Sequence, residues 1–306
     1  MSNTVLITGA HGFIGRHIAR HLKLAGWTVL GIGHGQWSTD TCHEWGIDRW
    51  AASEVDLEGL ETNFGHECIT HIVHCAGSGS VGFSFEYPLQ DFERSVSTTI
   101  HVLEFARTRS CPVKTIFLST AGVYGHVASL PIKESTDCQP VSPYGMHKKI
   151  AEELCQSYAT HFLLDVSVVR LFSVYGKGLR KQLLWDACVK AKAGDRQFFG
   201  TGQEVRDWIH VADVATLVET LLVDKTRGYA VYNGGSGNGV KIQDILNLLF
   251  GYLNSPIQPE FTGKAKKGDP IGYVADVHLA HALGWKPLVQ LNDGVREYAD
   301  WFRMAL

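Results

Sequence analysis

The sequence lacks any long apolar run. Nowhere in its 306 residues does an uninterrupted hydrophobic stretch approach the roughly 18 to 20 residues that would span a bilayer. Hydrophobic residues still make up 45% of the chain and charged residues 19%, a composition that excludes a disordered protein. We therefore expect a globular protein with no membrane partner. The first four residues show neither the basic start nor the cleavage site of a secretory signal, so we expect a cytoplasmic location.

Cysteine pairs, basic blocks and metal-ligand motifs are missing too. The seven cysteines form no C-x-x-C pair, so we expect reduced thiols and no disulfide framework. The net charge is −3 and the basic residues form no long block, which argues against a nucleic-acid partner. Fifteen histidines are present, but no H-E-x-x-H or Cys/His spacing occurs. We therefore expect no metal site.

The first half of the chain alternates short β-rich runs with helical stretches. The runs cover residues 5–8, 28–32, 71–75, 115–119 and 166–171. Strands such as HIVHCAG and KTIFLST are almost continuously apolar, which is typical of a parallel sheet covered by helices on both faces. We predict an α/β fold with a doubly wound parallel sheet of the Rossmann type and a smaller, irregular C-terminal substrate lobe.

The change of texture after about residue 175 gives the expected domain boundaries. The loops there are rich in Gly, Thr and Asn, as in GTGQ and NGGSGNG. We expect residues 1–173, with 205–235 returning, to form a dinucleotide-binding domain. Residues 174–204 and 236–306 would form a lobe that binds a nucleotide-sugar.

A glycine-rich turn follows the first strand directly and opens a helix that runs to about residue 24. Glycines let the backbone approach a pyrophosphate, which then binds the free N–H groups and positive dipole end of the helix. The turn therefore predicts a dinucleotide cofactor. The cofactor-binding candidates within it are Gly9, His11, Gly12, Phe13, Ile14 and Gly15.

The end of the second strand lacks the acidic residue that NAD-binding folds usually carry for the ribose 2′-hydroxyl. The strand ends Gly-Ile-Gly and is followed by His34. This absence removes repulsion against a 2′-phosphate, which His11, Arg16 and His34 could approach, so we expect NADP(H), with NAD(H) as the alternative. Asp56 could accept from an adenine amino group or could cap a helix. Ala76, after the strand HIVHC, is a further cofactor-binding candidate, and Tyr144 and Lys148 complete the set.

Tyr144 and Lys148 lie four residues apart at the start of an apparent helix, so their side chains should emerge on one face. A lysine cation beside a phenol should lower the phenol's pKa and make Tyr144 a usable general acid or base. The segment FLSTAGVYG places Thr120 at the C-terminal edge of the sheet, where ligands bind in open α/β folds. The Thr120 hydroxyl could hydrogen-bond the reacting oxygen beside Tyr144.

Five segments together resemble the ordered motifs of the NAD-dependent epimerase/dehydratase family, the extended short-chain dehydrogenases. They are TGAHGFIG, STAGVYG with YGMHK, RLFSVYG, GTGQEVRDWIHVADVA and GDP with ADVHLAHALGW. They extend over essentially the whole chain and are specific as a set. The resemblance implies that Thr120, Tyr144 and Lys148 are the catalytic residues, with Lys148 also holding the nicotinamide ribose.

The resemblance also implies a nucleotide-linked sugar as substrate. Arg206 would bind its phosphates, for which a guanidinium fork is suited. Lys177 and Lys181 could assist or could belong to a solvated loop, and Phe198 with Phe199 could flank the base or lie in the core. The substrate-binding candidates are Ser80, Thr120, Ser173, Arg180, Phe199, Arg206 and Lys266.

Departures from the family's patterns narrow the reaction. Sugar 4,6-dehydratases carry Asp-Glu after the active-site Thr, whereas this chain has Ala121 and Gly122, which argues against dehydration. Ser173 stands where many relatives have Asn, and Lys266 where an Arg is common; both changes weaken the assignment of a particular sugar. The missing acid after the second strand departs from UDP-galactose 4-epimerases, which hold NAD permanently.

The leading hypothesis from the sequence is a 4-reductase. It would use NADPH on a nucleotide-linked 4-keto-6-deoxysugar, a precursor of surface polysaccharide. The alternative is a 4-epimerase of the UDP-glucose or UDP-N-acetylglucosamine type with tightly bound NAD, and a third possibility is a non-catalytic dinucleotide sensor. By analogy we expect a homodimer that pairs helices around residues 92–107 and 148–158 across a two-fold axis.

Overall fold

The large sheet of the protein is parallel and has seven strands. The computed structural model describes residues 3–264 and 272–305. The strands of the large sheet are β1 (Thr4–Thr8), β2 (Thr28–Gly33), β3 (Arg49–Ala52), β4 (His71–His74), β5 (Lys114–Thr120), β6 (Asp165–Leu171) and β10 (Tyr229–Gly234). Their order is β10-β6-β5-β4-β1-β2-β3. The order runs outward in both directions from β1 and β4, which confirms the predicted doubly wound fold.

A smaller sheet is built from later parts of the chain. Its strands are β7 (Ser173–Tyr175), β9 (Val205–His210), β11 (Gly239–Lys241) and β13 (Gly272–Tyr273). The central strand β9 pairs antiparallel with β11 and parallel with β7 and β13. A short pair, β8 (Gln197–Phe198) with β12 (Glu260–Phe261), lies beside it. This smaller sheet corresponds to the irregular lobe expected from the sequence.

Helices cover both faces of the large sheet. On one face lie α1 (Phe13–Leu24) and α9 (Val211–Val223), which pack in one core with β1 and β2. On the other face lie α3 (Leu57–Phe64), α6 (Thr98–Arg107) and α7 (Pro143–Phe162). The shorter helices before α6 are α2 (Thr39–Glu44), α4 (Val81–Glu86), α5 (Pro88–Phe92) and a π-helical turn at Glu93–Ser97.

The second core lies in the C-terminal part of the chain. It is formed by α8 (Gln182–Ala193), α10 (Ile242–Tyr252) and α12 (Leu291–Ala305). Helix α11 (His278–Ala282) instead packs on β10, and its Ala280 belongs to the core with α1 and α9. The chain crosses between the two parts more than once. After β9 it returns to the large sheet through α9 and β10, whereas β9 itself belongs to the small sheet. The exact domain boundaries stay a prediction.

A buried ion pair fixes α7 against the large sheet. Arg170 of β6 donates to both carboxylate oxygens of Glu152 on α7, with its Nη2 2.7 Å from Oε2. The side chains of Arg170 and Glu152 are 8% and 4% exposed. Ser119, one residue before Thr120, hydrogen-bonds the same carboxylate. The pair therefore ties α7 to both β5 and β6.

Breaking this pair on one side should cost far more than removing it altogether. Arg170→Met leaves Glu152 as an uncompensated buried charge and should lower the free energy of unfolding by about 3–5 kcal/mol. The double variant Glu152→Gln with Arg170→Met removes that charge and should recover most of the loss. Urea unfolding of both variants measures the difference. Equal losses in the two would show that the unpaired charge is not the cause.

Candidate active site

The glycine turn after β1 forms a bare helix N-terminus. Gly12 is the N-cap of α1, no side chain caps this end, and the first turn holds no acidic residue. Gly9 adopts a φ of +68°, and a Cβ at Gly15 would lie only 2.5 Å from the Gly9 carbonyl oxygen, so both positions require glycine. Uncapped N–H groups without a competing carboxylate fit the pyrophosphate of a dinucleotide.

Two further cofactor candidates lie along the same sheet edge. The Ala76 backbone N–H donates to Thr8 Oγ1 at 3.2 Å, and the Ala76 backbone packs directly against Gly9. Asp56 is the N-cap of α3 and accepts from the Gly59 N–H at 2.7 Å. The helix-cap interpretation of Asp56 therefore has direct geometric support.

Thr120, Tyr144 and Lys148 come together where β5 ends. Tyr144 and Lys148 lie in the first two turns of α7, and Thr120 lies close enough to the Tyr144 phenol to lower its pKa. Lys148 is 5% exposed and donates to the Leu118 carbonyl at 3.0 Å. Its ammonium lies below Gly77, where a Cβ would be 3.4 Å from Nζ. Because Gly77 has no side chain, the Lys148 ammonium could donate a hydrogen bond to a ribose hydroxyl of a bound dinucleotide.

Burial controls the proton affinities at this position. It raises the pKa of Tyr144 to about 12, against the effect of the nearby Thr120, which lowers it. It also lowers the pKa of Lys148 to about 8. Both shifts follow from the cost of a charge away from water. The pKa of Tyr144 is thus raised above its ordinary value, contrary to the net lowering predicted from the sequence, because burial outweighs the interactions that favour the phenolate.

The sequence analysis missed a buried pair next to these residues. His147, between Tyr144 and Lys148, has its Nδ1 2.6 Å from Oδ2 of Asp91 on α5. Asp91 is fully buried, and its Oδ1 has no partner among the described residues. Asp91 and His147 lie 56 positions apart in the sequence, so no local signal could have revealed the pair.

The small sheet and the loops beside it hold most substrate-binding candidates. Arg206 lies half-buried on β9, and Ser173 lies half-buried on β7. Phe199 follows β8 and is 69% exposed, whereas Phe198 is buried in the core. Phe199 is therefore the aromatic side chain available to a base. Lys266 lies outside the described residues.

The basic side chains of the loop after β7 lie in two different places: Arg180 packs on aromatic rings, and Lys181 lies near the candidate site. The Arg180 guanidinium lies over the rings of Trp185 and Trp301, at 5.9 and 5.8 Å from their centroids. Lys181 instead reaches the loop between β4 and α4, since a Cβ at Gly79 would lie 3.1 Å from its Nζ. Ser80, the next residue of that loop, is exposed and caps α4. Lys181 thus lies closer to the candidate site than its sequence position indicated.

The 3₁₀ turn after β5 is consistent with the argument against dehydration. Ala121 and Gly122, in the turn Ala121–Val123, follow Thr120. Thr120 accepts from the Gly122 N–H at 3.1 Å. A Cβ at Gly122 would lie 3.4 Å from Thr120 Oγ1 and 3.9 Å from the Tyr144 ring. The position next to the candidate catalytic hydroxyls therefore carries no acid.

Residues 5–235 match the model of the NAD dependent epimerase/dehydratase family. The chain belongs to this family. It is therefore an NAD-dependent enzyme that modifies nucleotide-sugars, as the motif resemblance implied. The matched region contains the glycine turn, Thr120, Tyr144, Lys148 and Arg206.

Three proteins show how similar this chain is to proteins of known name or structure. A UDP-glucuronate 4-epimerase of Thermodesulfobacterium geofontis is 28% identical over 311 residues, covering 97% of this chain and 95% of the relative. The structure of a Thermotoga maritima UDP-glucose 4-epimerase with UDP-glucose is 26% identical, covers 99% of both chains and has a TM-score of 0.90. A Thermus thermophilus UDP-glucose 4-epimerase in complex with NAD is 27% identical, covers 99% of this chain and 100% of the other, and has a TM-score of 0.88.

The sequence analysis expected neither a membrane partner nor a metal site. Within the described parts of this family member, no helix combines the length and apolar character needed to cross a membrane. In residues 3–264 and 272–305, no three His, Cys, Asp or Glu side chains converge on a possible metal position. The expected cytoplasmic location stays a prediction.

A buried histidine beneath the site should make the fold acid-sensitive. His74 lies 2.6 Å from Thr8 Oγ1 and 3.1 Å from Thr99 Oγ1. Burial lowers its pKa to about 3. As the pH falls below the unfolded value of about 6.5, only the unfolded chain takes up the proton, so stability is lost toward pH 3. Between pH 6.5 and 5 the loss from this group should be about 2 kcal/mol.

The variant His74→Gln removes the titrating group, so its stability should fall by about 2 kcal/mol less than that of the unaltered protein over this interval. Chemical unfolding at the two pH values measures it. His66→Gln, at an exposed position, is the control and should keep the full pH dependence. An unchanged dependence in His74→Gln would contradict the assignment.

Proposed function

We propose that the protein is a UDP-sugar 4-epimerase that uses NAD. Thr120, Tyr144 and Lys148 together at the mouth of the dinucleotide fold support this proposal. The proteins it resembles include several UDP-sugar 4-epimerases, one with UDP-glucose and one with NAD. They do not support the NADP(H) preference or the 4-reductase inferred from the missing acid after β2. This similarity favours the epimerase, which the sequence left as the alternative.

The residues of the chain divide the work of such a reaction. When bound at this site, NAD would supply the hydride chemistry at C4 of the sugar. Tyr144 takes the proton of the C4 hydroxyl and gives it back to the ketone oxygen, and Thr120 hydrogen-bonds that oxygen. The Lys148 ammonium holds the ribose hydroxyls and offsets the cost of a phenolate in this buried position. The turn from Gly9 to Gly15 binds the pyrophosphate.

The small sheet and the loops beside it would hold the nucleotide part of the substrate. We propose that Arg206 binds the diphosphate, that Ser173 and Ser80 contact the substrate, and that exposed Phe199 stacks on the base. The division into a dinucleotide domain of residues 1–173 with 205–235, and a substrate lobe of 174–204 and 236–306, is part of the same proposal. Rotation of a 4-keto sugar between two faces then requires a roomy space between the lobes.

Dinucleotide content and product analysis test the reaction. The purified protein should release about one equivalent of NAD⁺ on denaturation, and should interconvert UDP-glucose and UDP-galactose or the matching uronic acids without net cofactor consumption. Chromatography detects both. An empty site with consumption of NADPH on 4-keto sugar nucleotides would instead favour the reductase.

Tyr144→Phe should lower kcat by about 10²- to 10⁴-fold, because it removes the general acid and base. Bound NAD should remain, since the phenol is not needed for the pyrophosphate. Tyr158→Phe, on the same helix but bonded to Glu104 at 3.2 Å, is the matched control and should retain activity. Full activity of Tyr144→Phe would refute the mechanism.

Apolar side chains exposed on α4 to α7 support the homodimer. They include Phe85, Leu89 and Ile100, which are 52%, 69% and 38% exposed. We propose that this surface pairs across a two-fold axis, because exposed apolar side chains of this size are a feature of interaction sites.

Light scattering tests the assembly. The protein should have twice the mass of one chain. Ile100→Lys places a charge in the interface and should give a monomer, whereas Leu24→Lys, at the exposed end of α1, should stay dimeric. A monomeric unaltered protein would rule the dimer out.

A further inference from the structure

A pocket of about 240 Å³ opens where β2 and β3 end. Its lining residues are His34, Gly35, Gln36, Ala52, Ser53 and Glu54. His34 follows the last residue of β2, and Glu54 lies two residues beyond β3. The Nε2 atom of His34 is 3.3 Å from Oε2 of Glu54. The pocket therefore contains a carboxylate, although β2 itself ends without one.

The sheet register sets this pocket beside the glycine turn. The Gly9 N–H donates to the Ile32 carbonyl at 2.7 Å, and the Ser53 N–H donates to the Gly33 carbonyl at 3.2 Å. The turn, the end of β2 and the end of β3 are thus consecutive along one edge. The His11 ring of the turn lies directly against Gly35 of the pocket. An adenosine attached to a pyrophosphate on α1 would reach this pocket.

Two of the three groups expected to receive a 2′-phosphate, Arg16 and His34, are engaged with other partners. The third, His11, lies against the pocket, but burial and the charge of Arg16 lower its pKa. Arg16 donates to the carbonyls of His11 and Gly12. Its guanidinium also lies over the rings of Trp37 and Trp45, at 5.6 and 5.2 Å from their centroids. His34 faces the Glu54 carboxylate. A phosphate dianion in this pocket would meet a negative charge without a dedicated cation.

We propose that Glu54, positioned by His34, accepts the hydrogen bond of the adenosine ribose 2′-hydroxyl and excludes the 2′-phosphate of NADP. The selecting acid then lies one strand further along the sheet than its usual place at the end of β2. The proposal concerns only the choice of dinucleotide. It goes beyond the proposed 4-epimerase and does not depend on which sugar is bound.

A competition experiment measures the choice directly. The purified protein is first emptied of any dinucleotide that it carries and is then incubated with equal NAD⁺ and NADP⁺. After removal of unbound dinucleotide the protein is denatured, and the released dinucleotides are quantified by chromatography. The unaltered protein should hold at least about tenfold more NAD⁺ than NADP⁺. Glu54→Gln keeps the shape and removes the charge, so the ratio should fall by about tenfold, the size expected for a charged hydrogen bond. Glu54→Arg should reverse the preference.

Matched variants separate this effect from a general change of charge. Glu58→Gln makes the same charge change at the exposed start of α3, outside the pocket lining, and should leave the ratio unchanged. His34→Asn removes the partner that positions Glu54. It should lower the ratio of bound NAD⁺ to bound NADP⁺ by less than Glu54→Gln does. The Glu54 side chain is 70% exposed, so its variants should fold normally, which thermal unfolding checks.

Two results would overturn the proposal: a preference of the unaltered protein for NADP⁺, or an unchanged ratio in both Glu54 variants. Its failure is distinguishable from failure of the proposed reaction. A Glu54-dependent preference for NAD⁺ in a protein that epimerises no UDP-sugar would support this inference and refute the 4-epimerase. Epimerisation with a ratio insensitive to Glu54 would do the reverse.

Discussion

The position of the candidate active site depends on the buried ion pair between Glu152 and Arg170. Tyr144, Lys148 and Glu152 follow one another at intervals of four residues, so they lie along one face of α7. Because Arg170 holds Glu152 against β6, the two preceding turns of the helix are fixed in rotation and height. Ser119 binds the same carboxylate, which ties Thr120 on the neighbouring strand to the same anchor. One buried contact thus sets the relative position of all three candidate catalytic residues.

Burial also makes the site electrostatically sensitive. Lys148, His74 and Asp91 are all almost inaccessible to water, and each charge or dipole there acts through a medium of low effective dielectric. Burial consequently favours the neutral form of both side chains: the pKa of Tyr144 is raised and the pKa of Lys148 is lowered. A bound dinucleotide and substrate would change this balance, because they bring charges of their own to groups that water no longer screens.

The sequence could predict the features that depend on local spacing. The alternation of apolar strands with helical stretches predicted the fold. Five ordered motifs, which include the turn from Gly9 to Gly15 and the spacing of Tyr144 and Lys148, indicated the family. The features it could not predict depend on tertiary contacts. Asp91 meets His147 only through the packing of α5 on α7, and Glu54 meets His34 only through the register of β2 and β3. The predicted direction of the Tyr144 pKa shift was wrong, because burial raises this pKa by more than the interactions inferred from residue spacing lower it.

The small sheet draws its four strands from widely separated parts of the chain, with β13 only after residue 271. Six of the seven strands of the large sheet are already complete at Leu171. During synthesis, most of the large sheet can therefore form while the rest of the chain is still on the ribosome. The small sheet can be completed only when almost the entire polypeptide has emerged, so its closure is one of the last events of folding on the ribosome.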